Sequence, residues 1–281
     1  MVIKSYAKIN LALQVRGKRD DGYHLLSMVN LLIDLHDVIE IESFPYYKDT
    51  YIVCDDLSLL NGHSNICTKV IDLMRDKCHF KENFIIHIHK GIPSAAGLGG
   101  GSSDAASVML AINRFLKLGL SLEELCDMSL AIGSDIPFFL HEKCALVEGI
   151  GDEVSPIKVE KDYHVLVIKP EQGLSTKDVY TACDNVKRLP IDVPKVIEGL
   201  AEGDDAKIVE NFGNDLYPAA LLLLPEVGEI VDTLRKDGFP MSAMTGSGSC
   251  CYALSCDQKA LKAEEKKWAK KGYETFLAKV L

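Results

Sequence analysis

The sequence has no excess of basic residues and no long apolar run. Its formal net charge is -10 at pH 7, and an acidic protein repels nucleic acid and anionic membranes at long range. The longest apolar run, residues 219–224, is far shorter than the roughly 20 residues that cross a bilayer. Asn10 and Gln14 interrupt the first apolar residues, so no signal-peptide core forms. We expect no nucleic-acid partner, no membrane partner and a cytoplasmic location.

No Cys-x-x-Cys pair occurs among the nine scattered cysteines. An odd number without metal-ligand spacing favours a reducing compartment, where the thiols serve as small apolar side chains and not as zinc ligands. The composition, 47% hydrophobic and 26% charged over 281 residues, is typical of a globular protein that has room for two domains.

Residues 90–106, KGIPSAAGLGGGSSDAA, contain the strongest local signal. The alternation over residues 84–89 predicts a strand before this stretch, and apolar residues at helical spacing after it predict a helix that begins near Ser102 or Ser103. Glycines and free N–H groups at a helix start favour a phosphate. The stretch therefore predicts a phosphate-binding glycine loop, here defined as residues 93–103. The alternative is a flexible connection.

Two better-known phosphate loops fit this stretch poorly. A P-loop ends in Gly-Lys-Ser/Thr, and no lysine occurs between Gly91 and Asp104. A dinucleotide loop needs a third glycine where Ser102 stands. A nicotinamide-dependent oxidoreductase is therefore not favoured.

The segment from Pro93 to Ala106 resembles the P-x-x-x-G-L-G-S-S-A-A loop of the small-molecule kinases named for galactose, homoserine, mevalonate and phosphomevalonate. Its expanded form, G-L-G-G-G-S-S-D-A-A, is similar to one branch, the 4-diphosphocytidyl-2-C-methyl-D-erythritol kinases. The resemblance implies an α+β, two-domain kinase fold, with an N-terminal ribosomal-protein-S5-like half, a C-terminal ferredoxin-like half and the active site between them. We expect an ATP-binding domain over residues 1–155 and a ferredoxin-like domain over residues 156–281.

The same resemblance implies that ATP and Mg²⁺ are the cofactors. Asn65, which also suits the N-cap of a helix over residues 65–77, is expected near adenine. Ser103 is a candidate magnesium ligand, and the other metal ligands are unknown. The expected ATP-binding residues of the glycine loop are Pro93, Ser94, Ala95, Ala96, Gly97, Leu98, Gly99, Gly100, Gly101, Ser102 and Ser103.

Lys8 and Asp135 are the expected catalytic pair. Alternation over residues 2–15 predicts a strand that places Lys8 and Asn10 on one face. Pro137 disfavours helix at Ile136, so Asp135 is expected at a helix exit or in a loop, where it could also serve as a cap or in an Asx-turn. The segment G-S-D-I-P resembles the one that carries the family's catalytic aspartate. The resemblance therefore implies that Asp135 accepts the hydroxyl proton and that Lys8 orients Asp135.

The segment 19–24, RDDGYH, follows A-K-I-N-L in the order seen in the diphosphocytidyl branch. The resemblance implies that Tyr23 and His24 engage the cytosine of the substrate, with Asn10, Thr176 and Tyr180 as further substrate contacts. For Tyr23 and His24 alone, a turn aromatic packed on the core is the alternative reading.

The C-terminal part shows the order βαββαβ, which is typical of a ferredoxin-like half. Residues 245–249, TGSGS, join two of its apolar strands and are here called the hairpin loop. This loop is either a plain turn or a contact for an anion, and it resembles the third glycine motif of the same kinases.

The resemblance implies that the activity is ATP-dependent phosphorylation of the 2-hydroxyl of 4-diphosphocytidyl-2-C-methyl-D-erythritol, in non-mevalonate isoprenoid precursor biosynthesis. We expect a monomer or a weak homodimer. Two alternatives are another small-alcohol kinase, of the mevalonate or homoserine type, and a non-catalytic ligand sensor. The RDDGYH segment argues against the first, and the presence of both Lys8 and Asp135 argues against the second.

Overall fold

The computed structural model of the chain describes residues 1–20, 22–43, 49–56 and 65–281, so Asp21 of the RDDGYH segment lies outside the described residues. The strands are β1 (Val2–Lys18), β2 (His24–Ser43), β3 (Tyr51–Cys54), β4 (Phe84–His89), β5 (Ala145–Gly149), β6 (Glu153–Pro156), β7 (His164–Lys169), β8 (Gly213–Asn214), β9 (Ser242–Met244), β10 (Cys251–Ser255) and β11 (Glu274–Lys279). The helices are α1 (Ile66–Cys78), α2 (Gly100–Phe115), α3 (Leu122–Ser129), α4 (Ile136–Leu140), α5 (Thr176–Cys183), α6 (Val193–Glu202), α7 (Asp205–Asn211), α8 (Tyr217–Leu223), α9 (Glu226–Lys236) and α10 (Gln258–Lys270).

The chain forms two compact units that are not separated by a single cut. The first unit comprises residues 1–7, 36–94 and 99–142, and the second comprises residues 8–35, 95–98 and 143–281. The long strands β1 and β2 each contribute residues to both units. The linear domain boundary near residue 155 stays a prediction.

In the first unit, β3, β4 and parts of β1 and β2 form one layer, and helices α1 to α4 form another. Strand β4 pairs antiparallel with the end of β2 and parallel with β3. Side chains from both layers are fully buried, among them Ile86 of β4, Val70 of α1 and Val108 of α2. The strand predicted over residues 84–89 is confirmed. Helix α2 begins at Gly100, two or three residues before the predicted start, because Gly99 already ends the loop in a left-handed conformation.

Caps explain where α1 and α3 begin. The side chain of Asn65 accepts a hydrogen bond from the amide of Cys67 at 2.9 Å, so the predicted N-cap is confirmed. Ser121 and Glu124 form a capping box at the start of α3. Each cap satisfies backbone donors that the first helical turn leaves without an intrahelical partner.

The prediction that Pro137 keeps Ile136 out of a helix is wrong. Ile136 and Pro137 are the first two residues of α4, where a proline is tolerated because its missing N–H would have no intrahelical partner. Asp135 itself lies in the turn between α3 and α4, directly before α4, so its predicted place in a loop is confirmed. Its side chain makes no capping hydrogen bond.

The second unit contains an antiparallel four-stranded sheet in the order β11-β7-β10-β9. With helices α9 and α10 this is the predicted βαββαβ arrangement of a ferredoxin-like half. Its central strand β7 buries Val165, Leu166, Val167 and Ile168 completely. The sequence did not predict α7, β8 or α8, of which β8 pairs parallel with β1.

None of the helices in the described parts of the chain is both long enough and apolar enough to span a bilayer.

Candidate active site

The glycine loop enters α2 with its backbone in left-handed conformations. The angle φ is 53° at Ala95, 74° at Gly97 and 76° at Gly99, values that glycine adopts at little cost. Gly99 occupies the N-cap of α2 and offers no capping side chain. The first amides of α2 therefore carry the positive end of a 16-residue helix without a side-chain acceptor. This arrangement fits a phosphate group.

Gly97 also lets two loops of the second unit pack backbone against backbone. A Cβ added at Gly97 would lie 2.3 Å from the carbonyl oxygen of Thr245, and one added at Gly246 would lie 2.9 Å from the carbonyl oxygen of Gly97. The hydroxyl of Thr245 reaches the same Gly97 oxygen at 3.3 Å. Gly246 of the hairpin loop thus serves close packing on Gly97, whereas a Cβ added at Gly248 would meet the side chains of Met244 and Leu174. Close packing therefore explains both glycines without a bound anion.

Behind the start of α2, the first unit buries three charged side chains. The ammonium of Lys90 donates to carboxylate oxygens of Asp37 and Asp104, the latter at 2.9 Å. Asp37 also accepts the amides of Gly91 and Ile92, each at 2.7 Å. This cluster ties the end of β4 and the first turns of α2 to β2.

The cluster contains two carboxyl groups for one ammonium. Burial, followed by the charge of Asp37, raises the pKa of Asp104 to about 7. Burial lowers the pKa of Lys90, but the negative charges of Asp104 and Asp37 outweigh this and raise it overall. Oxygen Oδ1 of Asp104 is buried without a hydrogen-bond partner, as expected where two carboxyl groups share one cation.

The described residues offer little for a protein-bound magnesium ion. They contain no group of three His, Cys, Asp or Glu side chains that could hold a metal. The hydroxyl of Ser103 is buried, donates to the carbonyl of Tyr6 at 2.6 Å and accepts from Ser5 at 2.8 Å. These contacts do not support Ser103 as a metal ligand, so magnesium would be held mainly by phosphate oxygens and water.

Lys8 is buried in the second unit and is held by a chain of side-chain amides. Its ammonium donates to Oδ1 of Asn10 at 2.6 Å, and Nδ2 of Asn10 donates to Oδ1 of Asn30 at 2.6 Å. The exposed fraction is 5% for Lys8, 1% for Asn10 and 2% for Asn30. The backbone amide of Lys8 also donates to the carbonyl of Leu98. The structure thus brings Lys8 and Asn10 together, as the shared strand face predicts.

His24 and Tyr180 come together in a second cluster of the same unit. Their ring centroids lie 4.9 Å apart with the planes tilted by 33°. Asp184 accepts from Nε2 of His24 at 2.8 Å and from Lys18 at 2.6 Å. The hydrogen bond from His24 and then that from Lys18 lower the pKa of Asp184 to about 2. Asp184 is therefore a fixed negative charge beside His24.

The other two predicted substrate residues have different surroundings. The side chain of Thr176 lies 2.8 Å from the hydroxyl of Ser247 in the hairpin loop. Tyr23 is 59% exposed. Asp135 belongs to the first unit, whereas Lys8 belongs to the second. Joint action of Lys8 and Asp135 stays a prediction.

Sequence reasoning missed the polar partners that fix these side chains. Asn30 and Asp37 lie within an apolar strand, and Asp184 follows a short helix. Asn214 holds the carbonyls of Met244 and Gly246 through its Nδ2 atom. A polar residue inside an apolar strand was an available signal for Asn30 and Asp37. Nothing in the sequence pairs Asp184 with His24.

Family comparisons and solved structures agree with this architecture. Residues 65–143 match the GHMP kinases N terminal domain, and residues 196–274 match the GHMP kinases C terminal domain. The crystal structure of homoserine kinase from Cytophaga hutchinsonii is similar over 99% of this chain and 95% of its own, with a TM-score of 0.72 and 17% identity, which shows a common fold. The chain is thus a two-domain α+β kinase of the GHMP class, and the predicted fold class is confirmed.

Comparison with individual relatives identifies one family within this class. The 4-diphosphocytidyl-2-C-methyl-D-erythritol kinase of Thermoanaerobacter pseudethanolicus is 37% identical over 262 residues, covering 92% of this chain and 89% of the relative. The enzyme of the same name from Clostridium botulinum is 38% identical over 266 residues, covering 94% and 93%. A crystal structure of 4-(cytidine 5'-diphospho)-2C-methyl-D-erythritol kinase covers 100% of this chain and 99% of its own, with a TM-score of 0.83 and 26% identity. This chain belongs to the 4-diphosphocytidyl-2-C-methyl-D-erythritol kinase family.

Proposed function

We propose that this kinase transfers the γ-phosphoryl group of ATP to the 2-hydroxyl of 4-diphosphocytidyl-2-C-methyl-D-erythritol, in non-mevalonate isoprenoid precursor biosynthesis. The observation that carries the proposal is the identity of 37–38% over more than nine-tenths of the chain to relatives with that name. The RDDGYH segment and the His24–Tyr180 pair support a cytidine-bearing substrate, because an aromatic face can stack a base while polar groups bond its edge.

In this proposal, ATP lies with its phosphates at the glycine loop. The backbone N–H groups before Ser103 and the dipole of α2 supply positive potential, which compensates for the acidity of the whole chain. Asn65 caps α1 through its side-chain oxygen, and we assign the same residue to the surroundings of adenine. Magnesium accompanies ATP and would supply positive charge at the phosphate oxygens.

The transfer needs a positioned acceptor and stabilisation of spreading charge. The acceptor oxygen attacks the γ-phosphorus, the bond to the β,γ-bridging oxygen breaks, and ADP leaves. Asp135 accepts the hydroxyl proton, and Lys8 draws negative charge toward the acceptor oxygen. The missing capping bond of Asp135 supports this role, because its carboxylate is not used to hold α4.

Cytosine is assigned to Tyr23, His24 and Tyr180, with Thr176 as a further contact. Stacking does not distinguish cytosine from uracil, so edge hydrogen bonds must do so. We assign the edge contacts to His24, whose ring Nε2 is already held by Asp184.

We also keep the predictions of a cytoplasmic location and a monomer or weak homodimer. All nine cysteines of the sequence are unpaired in the structure, which suits a reducing compartment. All the proposed catalytic and binding residues come from one chain, so a partner copy is not needed to supply them.

The direct test offers the purified chain ATP with 4-diphosphocytidyl-2-C-methyl-D-erythritol and follows the products by phosphorus NMR. A new phosphomonoester signal together with ADP is expected. Parallel reactions use mevalonate and homoserine. Phosphorylation of either one, with no product from the cytidine substrate, would overturn the proposal. Ligand binding without any turnover would instead indicate a sensor.

A further inference from the structure

Asn30 is the last member of the amide chain that holds Lys8, and no role has so far been given to it. We infer that Asn30 is a positioning residue for phosphoryl transfer, which acts by fixing the carboxamide of Asn10 and, through it, the ammonium of Lys8. This inference rests on the proposed function, because it assumes that Lys8 acts on the transferred group.

The first step of the argument is the direction of the Asn10 carboxamide. Its oxygen accepts from Lys8 at 2.6 Å, and its nitrogen donates to Oδ1 of Asn30 at 2.6 Å. A carboxamide turned by 180° would place an NH₂ donor against the ammonium and an oxygen against the oxygen of Asn30. Both contacts would then be repulsive, so the ammonium of Lys8 and the oxygen of Asn30 together favour the observed orientation of the Asn10 carboxamide.

The second step is the fixed backbone of Asn10. Its amide donates to the hydroxyl of Thr245 at 3.1 Å, and its carbonyl accepts from the phenol of Tyr252 at 3.0 Å. Thr245 and Tyr252 are both fully buried. Because the main chain is held on both sides, rotation of the carboxamide is the main freedom left at Asn10. The bond to Asn30 removes that freedom.

The third step concerns what Asn10 does. Both ends of its carboxamide are occupied by protein groups: the oxygen also lies 3.3 Å from the Thr245 hydroxyl, and the nitrogen also lies 3.6 Å from the sulfur of Met28. We therefore assign Asn10 to positioning Lys8 and not to contact with the substrate. The chain of contacts Lys8, Asn10 and Asn30 is buried, where hydrogen bonds between polar groups hold a geometry most firmly.

A displaced ammonium harms the transition state more than substrate binding. Misplacement of a catalytic group by about 1 Å costs on the order of 100-fold in rate. For Asn30→Leu we expect kcat to fall about 10- to 100-fold, while KM for the cytidine substrate and KM for ATP stay within about threefold. If Asn30 only stabilised the fold, the substitution would lower the amount of folded enzyme. Each folded molecule would then keep the kcat and the KM of the wild type.

The test is a double-mutant cycle of Asn30→Leu and Lys8→Met, with kcat measured per folded enzyme. If Asn30 acts through Lys8, Asn30→Leu lowers kcat in the wild-type background but changes kcat of the Lys8→Met variant by less than about twofold. Equal factors in both backgrounds would overturn the inference. An unchanged kcat in Lys8→Met alone would instead overturn the proposed role of Lys8, so the two failures are distinguishable.

Two further variants guard against a folding defect. Asn113→Leu is the matched control, because it also replaces a polar amide and loses two hydrogen bonds, to the backbone of Leu120. We expect it to keep kcat within about twofold of the wild type. If Asn30→Leu does not fold, Asn30→Ser takes its place in the cycle, because its side chain is polar but too short to reach Asn10. The effect of Asn30→Ser on kcat in the wild-type and Lys8→Met backgrounds then tests the inference in the same way.

Discussion

Nε2 of His24 lies 2.8 Å from Oδ1 of Asp184, a residue 160 positions further along the chain. His24 begins strand β2, and Asp184 ends helix α5, which also carries Tyr180. One hydrogen bond thus fixes the imidazole while the neighbouring ring lies 4.9 Å away. The imidazole side chain is only 9% exposed. The pair therefore defines a rigid edge for the proposed cytosine site.

Replacement of Asp184 by alanine is expected to weaken binding of the cytidine substrate. Without the carboxylate, the imidazole loses the acceptor that orients it, so KM for this substrate rises about 10-fold while kcat changes less than about threefold. The melting temperature stays nearly unchanged, because surface ion pairs contribute little to stability. Steady-state kinetics at several substrate concentrations check the expectation.

Lys18→Met is the matched control for Asp184, because it removes the other partner of the same carboxylate. We expect its KM to stay within about twofold. The low pKa of Asp184, about 2, means that the carboxylate stays ionised as the pH falls from 9 to 4. A rise in KM for the cytidine substrate that was caused by protonation of Asp184 in this pH range would contradict the role of Asp184 as a fixed negative charge.

Asp135→Asn is expected to abolish most turnover without harming the fold. Loss of the proposed general base lowers kcat by about two to four orders of magnitude. The carboxylate makes no capping bond to α4, so the free energy of unfolding should change by less than about 0.5 kcal/mol. Single-turnover kinetics and urea unfolding are the two measurements. Near-normal turnover in the folded variant would remove Asp135 from the chemistry.

Much of the fold could be predicted from local patterns. The strand over residues 84–89, the Asn65 cap, the Ser121 capping box and the βαββαβ order all follow from periodicity or from a side chain within a few residues of its partner. The start of α4 was predicted wrongly. Proline disfavours helix at the residue before it, but Pro137 lies in the first turn of α4, where proline is compatible with a helix.

The surroundings of the candidate site residues could not be predicted in the same way. Asn10 and Thr245 form a hydrogen bond although they are 235 positions apart in the chain. Lys90 likewise forms an ion pair with Asp37, which belongs to another strand. Such contacts depend on tertiary packing, which short sequence patterns do not encode. The motifs therefore predict which residues act, and the structure shows which side chains hold those residues in place.

Asp104→Asn is expected to change how stability depends on pH. In the wild type the pKa of Asp104 rises from 3.8 to about 7 on folding, so between these values the native state binds a proton more tightly than the unfolded chain. This group's contribution to stability is therefore full below about pH 4 and is lost as the pH rises through about 7. Asparagine does not titrate, so the variant lacks this loss.

Urea unfolding at pH 5 and pH 8 measures this effect. We compare the free energy of unfolding of Asp104→Asn with that of the wild type at each pH. This difference should shift by about 1–3 kcal/mol in favour of the variant from pH 5 to pH 8, whatever the variant's absolute stability. Asp127→Asn, which alters a carboxylate on helix α3, outside the buried cluster of Asp37, Lys90 and Asp104, controls for general charge effects. A stability difference that is the same at both pH values would show that Asp104 does not titrate in this range.

Gly97→Ala and Gly101→Ala should have opposite effects on stability, although both lie in the glycine loop. Gly97 has φ of 74°, and its added Cβ would lie 2.3 Å from the carbonyl oxygen of Thr245. The backbone must shift, and we expect a loss of about 2 kcal/mol or more. At Gly101, inside α2, the nearest atom is Cγ2 of Ile66 at 3.9 Å. Alanine there should add about 0.5–1 kcal/mol through its better helix propensity.

Urea midpoints of the two variants, measured side by side, compare these effects. Gly97→Ala should also lower kcat, since a displaced Thr245 no longer holds the backbone amide of Asn10. A Gly97→Ala variant as stable as Gly101→Ala would show that the residues 95–98 and the hairpin loop do not need their close backbone contact. In that case the glycine at position 97 would have to be explained by the phosphate alone, because only a ligand in the loop would then exclude the added methyl group.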